Sequence, residues 1–393
     1  MATAAPDPSP FPAPAPPNAD ELRAAFGGAE RHMVGIEDEV MLLDPDSFEL
    51  VGRAWQVLDL LGPDETRFKL ELPASQLEIV TPPTSDLDAL AASLFERRRV
   101  LAGAAEGVAR LACAGVHPFS PGVGELNQLE RYEQTIAEHG PIAARQLVCA
   151  LQVHVGVGDP DRALAVYNAA RSYLPLLAAL AANAPFYEGV DTGLASVRPI
   201  ICELLPRQGV PPVISSWKAF ADVLRWGAAS GAFPTARTWW WELRPHVGYG
   251  TLEFRVPDGQ ATVGDAIAIA AVVQALVAWL GERHDAGEVL PVAESWQIAQ
   301  NRWSACRHGV EGTMADLAAG GAARPTRAFL RELLDALAGP AAALGSEAWL
   351  SRAAGLITAN GAIAQRRVAS AEGGDARGAA AWLAERFLAI PSG

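Results

Sequence analysis

Four well-separated segments of this 393-residue chain share one alternation, and it limits the fold more than any other feature. In Gly35-Ile-Glu-Asp-Glu-Val-Met, Glu37 and Glu39 stand two residues apart. Gln76 and Glu78 do so in Ser75-Gln-Leu-Glu-Ile, Gln152 and His154 in Leu151-Gln-Val-His-Val, and Glu253 and Arg255 in Thr251-Leu-Glu-Phe-Arg-Val. Residues i and i+2 of a strand project from the same face. Leu77, Ile79, Val153, Val155, Leu252, Phe254 and Val256 therefore take the opposite one. Each segment reads as a strand with one apolar face and one face of carboxylate, amide, imidazole or guanidinium groups.

A half-solvated antiparallel sheet alternates in the same way, and for a single segment that is the simpler reading. The identity of the polar residues supports another. These i/i+2 pairs contain no lysine, and four glutamates with a histidine on one face repel one another unless cations lie among them. Oxygen ligands with one imidazole suit Mg²⁺ or Mn²⁺. The metal reading requires the four strands to be neighbours.

Strand patterns cover 34–43, 70–72, 76–81, 112–117, 151–157, 238–244 and 251–256, the last two reading as a hairpin across Pro-His-Val-Gly-Tyr-Gly. Helical patterns cover 87–111, 161–182, 216–229, 262–283, 294–307, 326–337 and 382–388. This mixed order, without regular βαβ alternation, predicts an α+β fold whose mainly antiparallel sheet carries helices on one face. Residues 1–20 hold seven prolines and six alanines and read as a disordered tail; 21–393 read as one domain.

A net charge of −14 argues against partners that present a phosphate backbone or an anionic membrane surface. It is compatible with a nucleotide whose charge divalent ions offset. Cys113, Cys149, Cys202 and Cys306 form no CxxC or CxxH pair and suit a reducing cytosol. No basic-then-apolar leader is present, so a cytoplasmic protein is expected. The apolar run 266–280, interrupted by Gln274, is shorter than the roughly 20 residues a membrane span takes and reads as a buried helix. Neither a P-loop nor a Gly-x-Gly-x-x-Gly fingerprint is present.

The segments Gly35-Ile-Glu-Asp-Glu, Ser75-Gln-Leu-Glu-Ile-Val-Thr-Pro and Val153-His-Val-Gly-Val resemble the signature strands of the type 2 glutamate–cysteine ligases, also called carboxylate–amine ligases. The resemblance continues through Ala182-Asn-Ala-Pro-Phe-Tyr, Asp191-Thr-Gly-Leu-Ala-Ser-Val-Arg, Trp239-Trp-Trp-Glu-Leu-Arg-Pro, Gly250-Thr-Leu-Glu-Phe-Arg-Val and Asn301-Arg-Trp-Ser-Ala-Cys-Arg-His-Gly, with a weaker match at Gln365-Arg-Arg. It implies a glutamine-synthetase-like catalytic sheet that binds ATP with Mg²⁺ or Mn²⁺ on its polar face. Under it, Glu37, Glu39, Glu78, His154 and Glu253 match metal ligands. Arg255 matches a phosphate-contacting, catalytic arginine; Arg198 is expected to act in catalysis and Arg302 to bind the nucleotide. The chain departs from the family at Gln152, commonly a histidine, and at Leu194, commonly an aromatic residue that bears on the substrate pocket.

The implied reaction is ATP-dependent amide formation through an acyl phosphate, with glutamate and cysteine as nominal substrates. Partners would be small molecules, with neither nucleic acid nor membrane, and a homo-oligomer is compatible. A metal-dependent phosphotransferase of guanidino-kinase type, on a related sheet, is the alternative enzyme reading. A catalytically silent binding protein is the third, and the intact Glu/His set speaks against it. Trp239–Trp241 reads as core rather than as a stack for adenine, His117 reads as structural, and His246 and His308 are given no role.

Overall fold

The computed structural model describes residues 15–62, 65–233, 238–371 and 373–389. Its central sheet consists of β1 (Val34–Leu43), β2 (Phe68–Leu70), β3 (Gln76–Val80), β4 (Arg110–Ala112), β5 (Leu151–Gly156), β6 (Leu243–His246) and β7 (Thr251–Phe254). Across the sheet the order is β2-β3-β1-β5-β7-β6, with β4 also pairing β1, and every pairing is antiparallel. The four alternating segments are thus consecutive neighbours: β3, β1, β5 and β7. Register places Glu39 opposite Glu78, Glu37 opposite Gln152, and His154 opposite Glu253.

The other face is the core. Ile36, Val40, Leu77, Ile79, Val153, Val155, Leu252 and Phe254 are almost fully buried in one cluster with residues of the helices Leu87–Ala104, Pro160–Ala170 and Val263–Asp285. The helix Val263–Asp285 is long and apolar enough for a membrane span, yet 89% of its most apolar window is buried inside the fold. Its lone interior polar residue, Gln274, donates to His32 O at 2.9 Å and Ser85 O at 3.1 Å, satisfying two loop carbonyls.

Asp38, between Glu37 and Glu39, points into this core. It accepts from Arg98 Nε at 2.9 Å, and both side chains have no exposed surface. Arg98 also donates to Gln260 O, Ala261 O and Phe387 O, and lies over the Phe387 ring. One guanidinium thereby joins β1, the segment after β7 and the C-terminal end of the fold.

The α+β expectation holds, with Asp86 and Asp159 capping the helices Leu87–Ala104 and Pro160–Ala170, while several boundaries move. The helix predicted over 161–182 is broken at the turn Arg171–Tyr173, because Pro175 cannot donate to the carbonyl four residues back. The pattern at 87–111 yields a helix only to Ala104, and the strand predicted at 112–117 forms a ladder only over Arg110–Ala112, with an isolated bridge from Val116 to Val148. The strand predicted at 238–244 begins at Leu243, since Trp239 packs edge-on against Phe220, Phe233 and Trp241 instead of joining the ladder. Gly250 closes the hairpin at φ +65°, where an added Cβ would lie 2.1 Å from Ala25 O. The final helix is Ala376–Arg386, earlier than expected. Residues 1–14, most of the expected tail, lie outside the described residues. The tail boundary at 20 falls inside the helix Ala19–Gly28, which Asn18 and Glu21 start with a reciprocal capping box.

Removing one member of a buried ion pair leaves the other charge uncompensated. Arg98→Ala is therefore expected to lower unfolding free energy by about 3–5 kcal/mol, read as a reduced urea midpoint; an unchanged midpoint would show that the pair does not tie the sheet to the C-terminus.

Candidate active site

On the polar face the register turns four sequence pairs into a grid. One row runs His154, Glu253, Arg244 across β5, β7 and β6. The next runs Glu37, Gln152, Arg255, and extends to Glu242, whose carbonyl accepts from Arg255 N at 2.8 Å. Glu39 and Glu78 oppose each other one row further along.

Glu253 has no exposed surface and is clamped by Arg244 and Arg255. Burial alone would raise its carboxyl, but the two guanidiniums outweigh that and hold it far below the usual carboxylate range. Arg255 also donates to Gln152 Oε1, and Gln152 Nε2 donates to Glu39 Oε1 at 2.6 Å. Glu39's other oxygen accepts from Ala150 N at 2.6 Å. The Gln152 amide thus connects a carboxylate to a guanidinium.

His154 Nδ1 shares a 3.0 Å hydrogen bond with Thr251 Oγ1. Its Nε2 is buried without a hydrogen-bond partner, 3.8 Å from Glu37 Oε1 and so too far for a direct bond. Burial would raise Glu37, and the neighbouring His154 reverses the effect and lowers it. Potential ligand atoms of Glu37, His154 and Glu253 all lie within 4.8 Å of one another. Two carboxylates and an orphaned imidazole nitrogen fit a divalent cation.

Beside them stands a second carboxylate group, Glu39, Glu71 and Glu78. Burial, then the charges of Glu37 and Glu39, push Glu78 up to about 7 against the pull of Lys69. Glu71 is raised well above its ordinary value by burial and by Glu78 and Glu39. Lys69 Nζ sits 2.9 Å from Glu78 and 3.9 Å from Glu37, a cation supplied by β2 that the i/i+2 pairs did not contain.

Two cavities open on this face. One of about 460 Å³ is lined by Glu37 and His154 with Met33, Ile36, Val80, Pro83 and Tyr249. His246, one of the two histidines given no role, stacks on the lining residue Tyr249 at 4.4 Å and meets His154 at 5.2 Å. The other, about 190 Å³, includes Glu39, Arg255, Arg198, Arg302, Glu242 and Trp240.

Glu37, Glu39, Glu78, His154, Glu253 and Arg255 are therefore brought together. Arg198 and Arg302 lie away from the first cavity. Arg198 Nε pairs with Asp258 at 2.9 Å and its Nη2 donates to the carbonyls of Arg255, Val256 and Pro257, so most of its donors hold the backbone after β7. Arg302 pairs with Glu242 at 2.5 Å and Glu203 at 2.6 Å. Leu194 packs with Val116, Ala184, Val197 and Ile201 behind the second cavity instead of lining it. His117 is structural as expected, bonding Phe48 O and the backbone of Ser120. Glu71 and Glu242 escaped the sequence reading. Glu71 lies just past a three-residue strand, and Glu242 carries an i/i+2 relation to Arg244 that was hidden inside the tryptophan run.

The profile of glutamate–cysteine ligase family 2 matches residues 33–385. A relative in Rubrobacter xylanophilus, provisionally named glutamate–cysteine ligase 2-3, is 36% identical over 358 residues, covering 90% of this chain and 96% of its own. One in Frankia casuarinae, provisionally named glutamate–cysteine ligase 2-1, is 33% identical over 363 residues, covering 90% and 94%. The fold is similar to glutamate–cysteine ligase from Francisella tularensis, solved in complex with AMP, with TM-score 0.68 and 12% identity over 91% of this chain and 89% of that one. It is also similar to a bifunctional glutathione synthetase from Pasteurella multocida, with TM-score 0.62 and 15% identity over 94% and 53%.

Because the Glu78 carboxyl rises from 4.5 to about 7 on folding, the folded state holds an extra proton between those values. Its stability falls as pH rises through that window. In EDTA, Glu78→Gln should gain melting temperature relative to wild type from pH 4.5 to 7, and added Mg²⁺ or Mn²⁺ should narrow the gap above pH 7. Parallel pH profiles would contradict the crowding of carboxylates at this site.

Proposed function

The chain belongs to glutamate–cysteine ligase family 2, and on that premise we propose that it is an ATP-dependent ligase that joins a carboxylate to an amine. The observation that carries the proposal is the position of the acidic cluster between two cavities. Glu37 and His154 line one, and Glu39 and Arg255 the other. We assign the first, with its apolar walls and the Tyr249 ring, to the nucleotide, and the second to the carboxylate donor.

Glu37, His154 and Glu253, with Glu39, Glu71 and Glu78 beside them, are the residues that would hold divalent cations. Bound there, such ions would offset charge on the nucleotide's β- and γ-phosphates. The chain's own residues do the positioning. Arg255, fixed by Glu253 and Gln152, would present its fork to the transferring phosphoryl group, where a guanidinium gives planar, bidentate contact. Arg244 keeps Glu253 ionised from the far side. Arg198 would act by holding the strand end that carries Arg255.

In this scheme an oxygen of the donor carboxylate attacks the γ-phosphorus and ADP departs, giving an acyl phosphate. The amine nitrogen attacks the acyl carbon, phosphate leaves, and the nitrogen sheds a proton to give the amide. No protein nucleophile is required. Glutamate and cysteine are the nominal pair. Four free thiols, three of them buried, suit the cytoplasmic residence we propose. The relatives and solved structures named above are ligases or synthetases and lend nothing to the guanidino-kinase alternative.

Glu253 is unsuited to a test by mutation, because neutralising it would remove the buried carboxylate that Arg244 and Arg255 both clamp and so destabilise the strand pair. Arg255→Lys keeps the charge beside Glu253 while losing the fork. Incubation with Mg²⁺-ATP, a panel of amino-acid donors and hydroxylamine should yield ADP together with an acyl hydroxamate. Arg255→Lys should melt near wild type and lose about a hundredfold in turnover, or roughly 3 kcal/mol. ADP release with a stable phosphorylated product and no hydroxamate would overturn the ligase reading.

A further inference from the structure

The carboxylates that would hold divalent cations already carry a cation of the protein's own. Lys69 stands directly across from Glu78 in the β2–β3 pairing, and its Nζ lies 2.9 Å from Glu78 Oε1 and 3.9 Å from Glu37 Oε1. Glu71, two residues further along the chain, adds its charge to that of Glu78. The ammonium thus sits between the two cavities. Glu37 lines the nucleotide cavity, while Glu39, which opposes Glu78 across the β1–β3 ladder, lines the donor cavity with Glu71.

Lys69 is held less firmly than the arginines of this face. Arg244 and Arg255 clamp a carboxylate with no exposed surface, whereas the Lys69 side chain is 37% exposed and ends a flexible stem. A divalent ion takes carboxylate oxygens at about 2.0–2.6 Å. Such an ion on Glu37 or Glu78 and an ammonium on the same oxygens repel each other at close range, so each weakens the hold of the other. A nucleotide changes that balance. Its β- and γ-phosphates bring acceptor oxygens and negative charge to the cluster, and a movable ammonium has a new partner there once metal takes the carboxylates.

We infer that Lys69 is a positioning residue that competes with divalent metal for Glu37 and Glu78 and passes to a phosphate oxygen of the nucleotide, so that metal and nucleotide strengthen each other's binding. This rests on the ligase reading above, since it concerns how the metal-bound nucleotide of that reaction is assembled. By linkage, nucleotide tightens metal by the same factor as metal tightens nucleotide. Lys69 supplies part of that factor.

The probe is Mn²⁺, titrated calorimetrically into the full chain at pH 8.5, with and without a non-hydrolysable ATP analogue. Without the analogue, Lys69→Met should bind Mn²⁺ about tenfold more tightly than wild type, because an ammonium at ion-pair distance no longer opposes the ion. Protons compete for the same oxygens, but Lys69 repels a single charge half as strongly as a double one, so the direction holds. The analogue should then tighten Mn²⁺ binding by about tenfold less in Lys69→Met than in wild type. Lys69→Arg, which keeps the charge, should behave as wild type. Should Lys69→Met melt early, Lys69→Gln removes the charge while keeping a hydrogen-bond donor for Glu78. Unchanged or weaker Mn²⁺ affinity in the charge-removing variants without nucleotide would overturn this inference and leave the ligase reading standing, as would a nucleotide effect equal in variant and wild type. A wild type that binds no Mn²⁺ even with the analogue present would overturn the metal-dependent ligase reading, and this inference with it.

Discussion

Carboxylates crowded on one face of a buried sheet must be compensated, and the way this protein compensates them organises the rest of its structure. Glu253, with no exposed surface, stays ionised only because Arg244 and Arg255 flank it. Arg255 is in turn aimed by Gln152, which also fixes Glu39. Lys69 neutralises part of the Glu37 and Glu78 charge from the edge of the sheet. The compensation is incomplete, however: Glu78 and Glu71 still lie well above their ordinary range, and His154 Nε2 has no partner. A site whose own charges are left unbalanced is one prepared for cations and for the anionic nucleotide they accompany.

That polar face can be buried because the opposite face is anchored. The apolar residues of β1, β3, β5 and β7 pack under helices, and the helix Val263–Asp285 contributes the central layer. Within this layer the Asp38–Arg98 pair stands out, since Asp38 alternates out of the polar face between Glu37 and Glu39. The same strand thus supplies candidate metal ligands on one side and, on the other, the ion pair that reaches Phe387. Displacement of β1 would disturb the core and the candidate site together.

Much of this was legible from the alternation, because strand period fixes which face a side chain takes whatever the tertiary context. Glu37, Glu39, Glu78, His154, Glu253 and Arg255 meet as the i/i+2 pairs suggested. What escaped the sequence depends on contacts between distant segments. Lys69 and Glu71 lie on or next to a strand of three residues, too short for periodicity to show. Glu242 is hidden behind three tryptophans, of which Trp239 leaves the sheet for the core while Trp240 lines the donor cavity. Arg198 and Arg302 carry the right chemistry, but only the fold reveals that Asp258, Glu203, Glu242 and backbone carbonyls already occupy most of their donors. Helix lengths failed where proline or a packed turn intervened, as at Pro175.

The central claim is that the unbalanced face holds divalent metal. Crystals soaked in Mn²⁺ with a non-hydrolysable ATP analogue, measured at the manganese absorption edge, test it most directly. An anomalous peak in contact with Glu37, His154 and Glu253 is expected. Clear nucleotide density with no peak at these residues, or manganese found only on surface carboxylates, would contradict it.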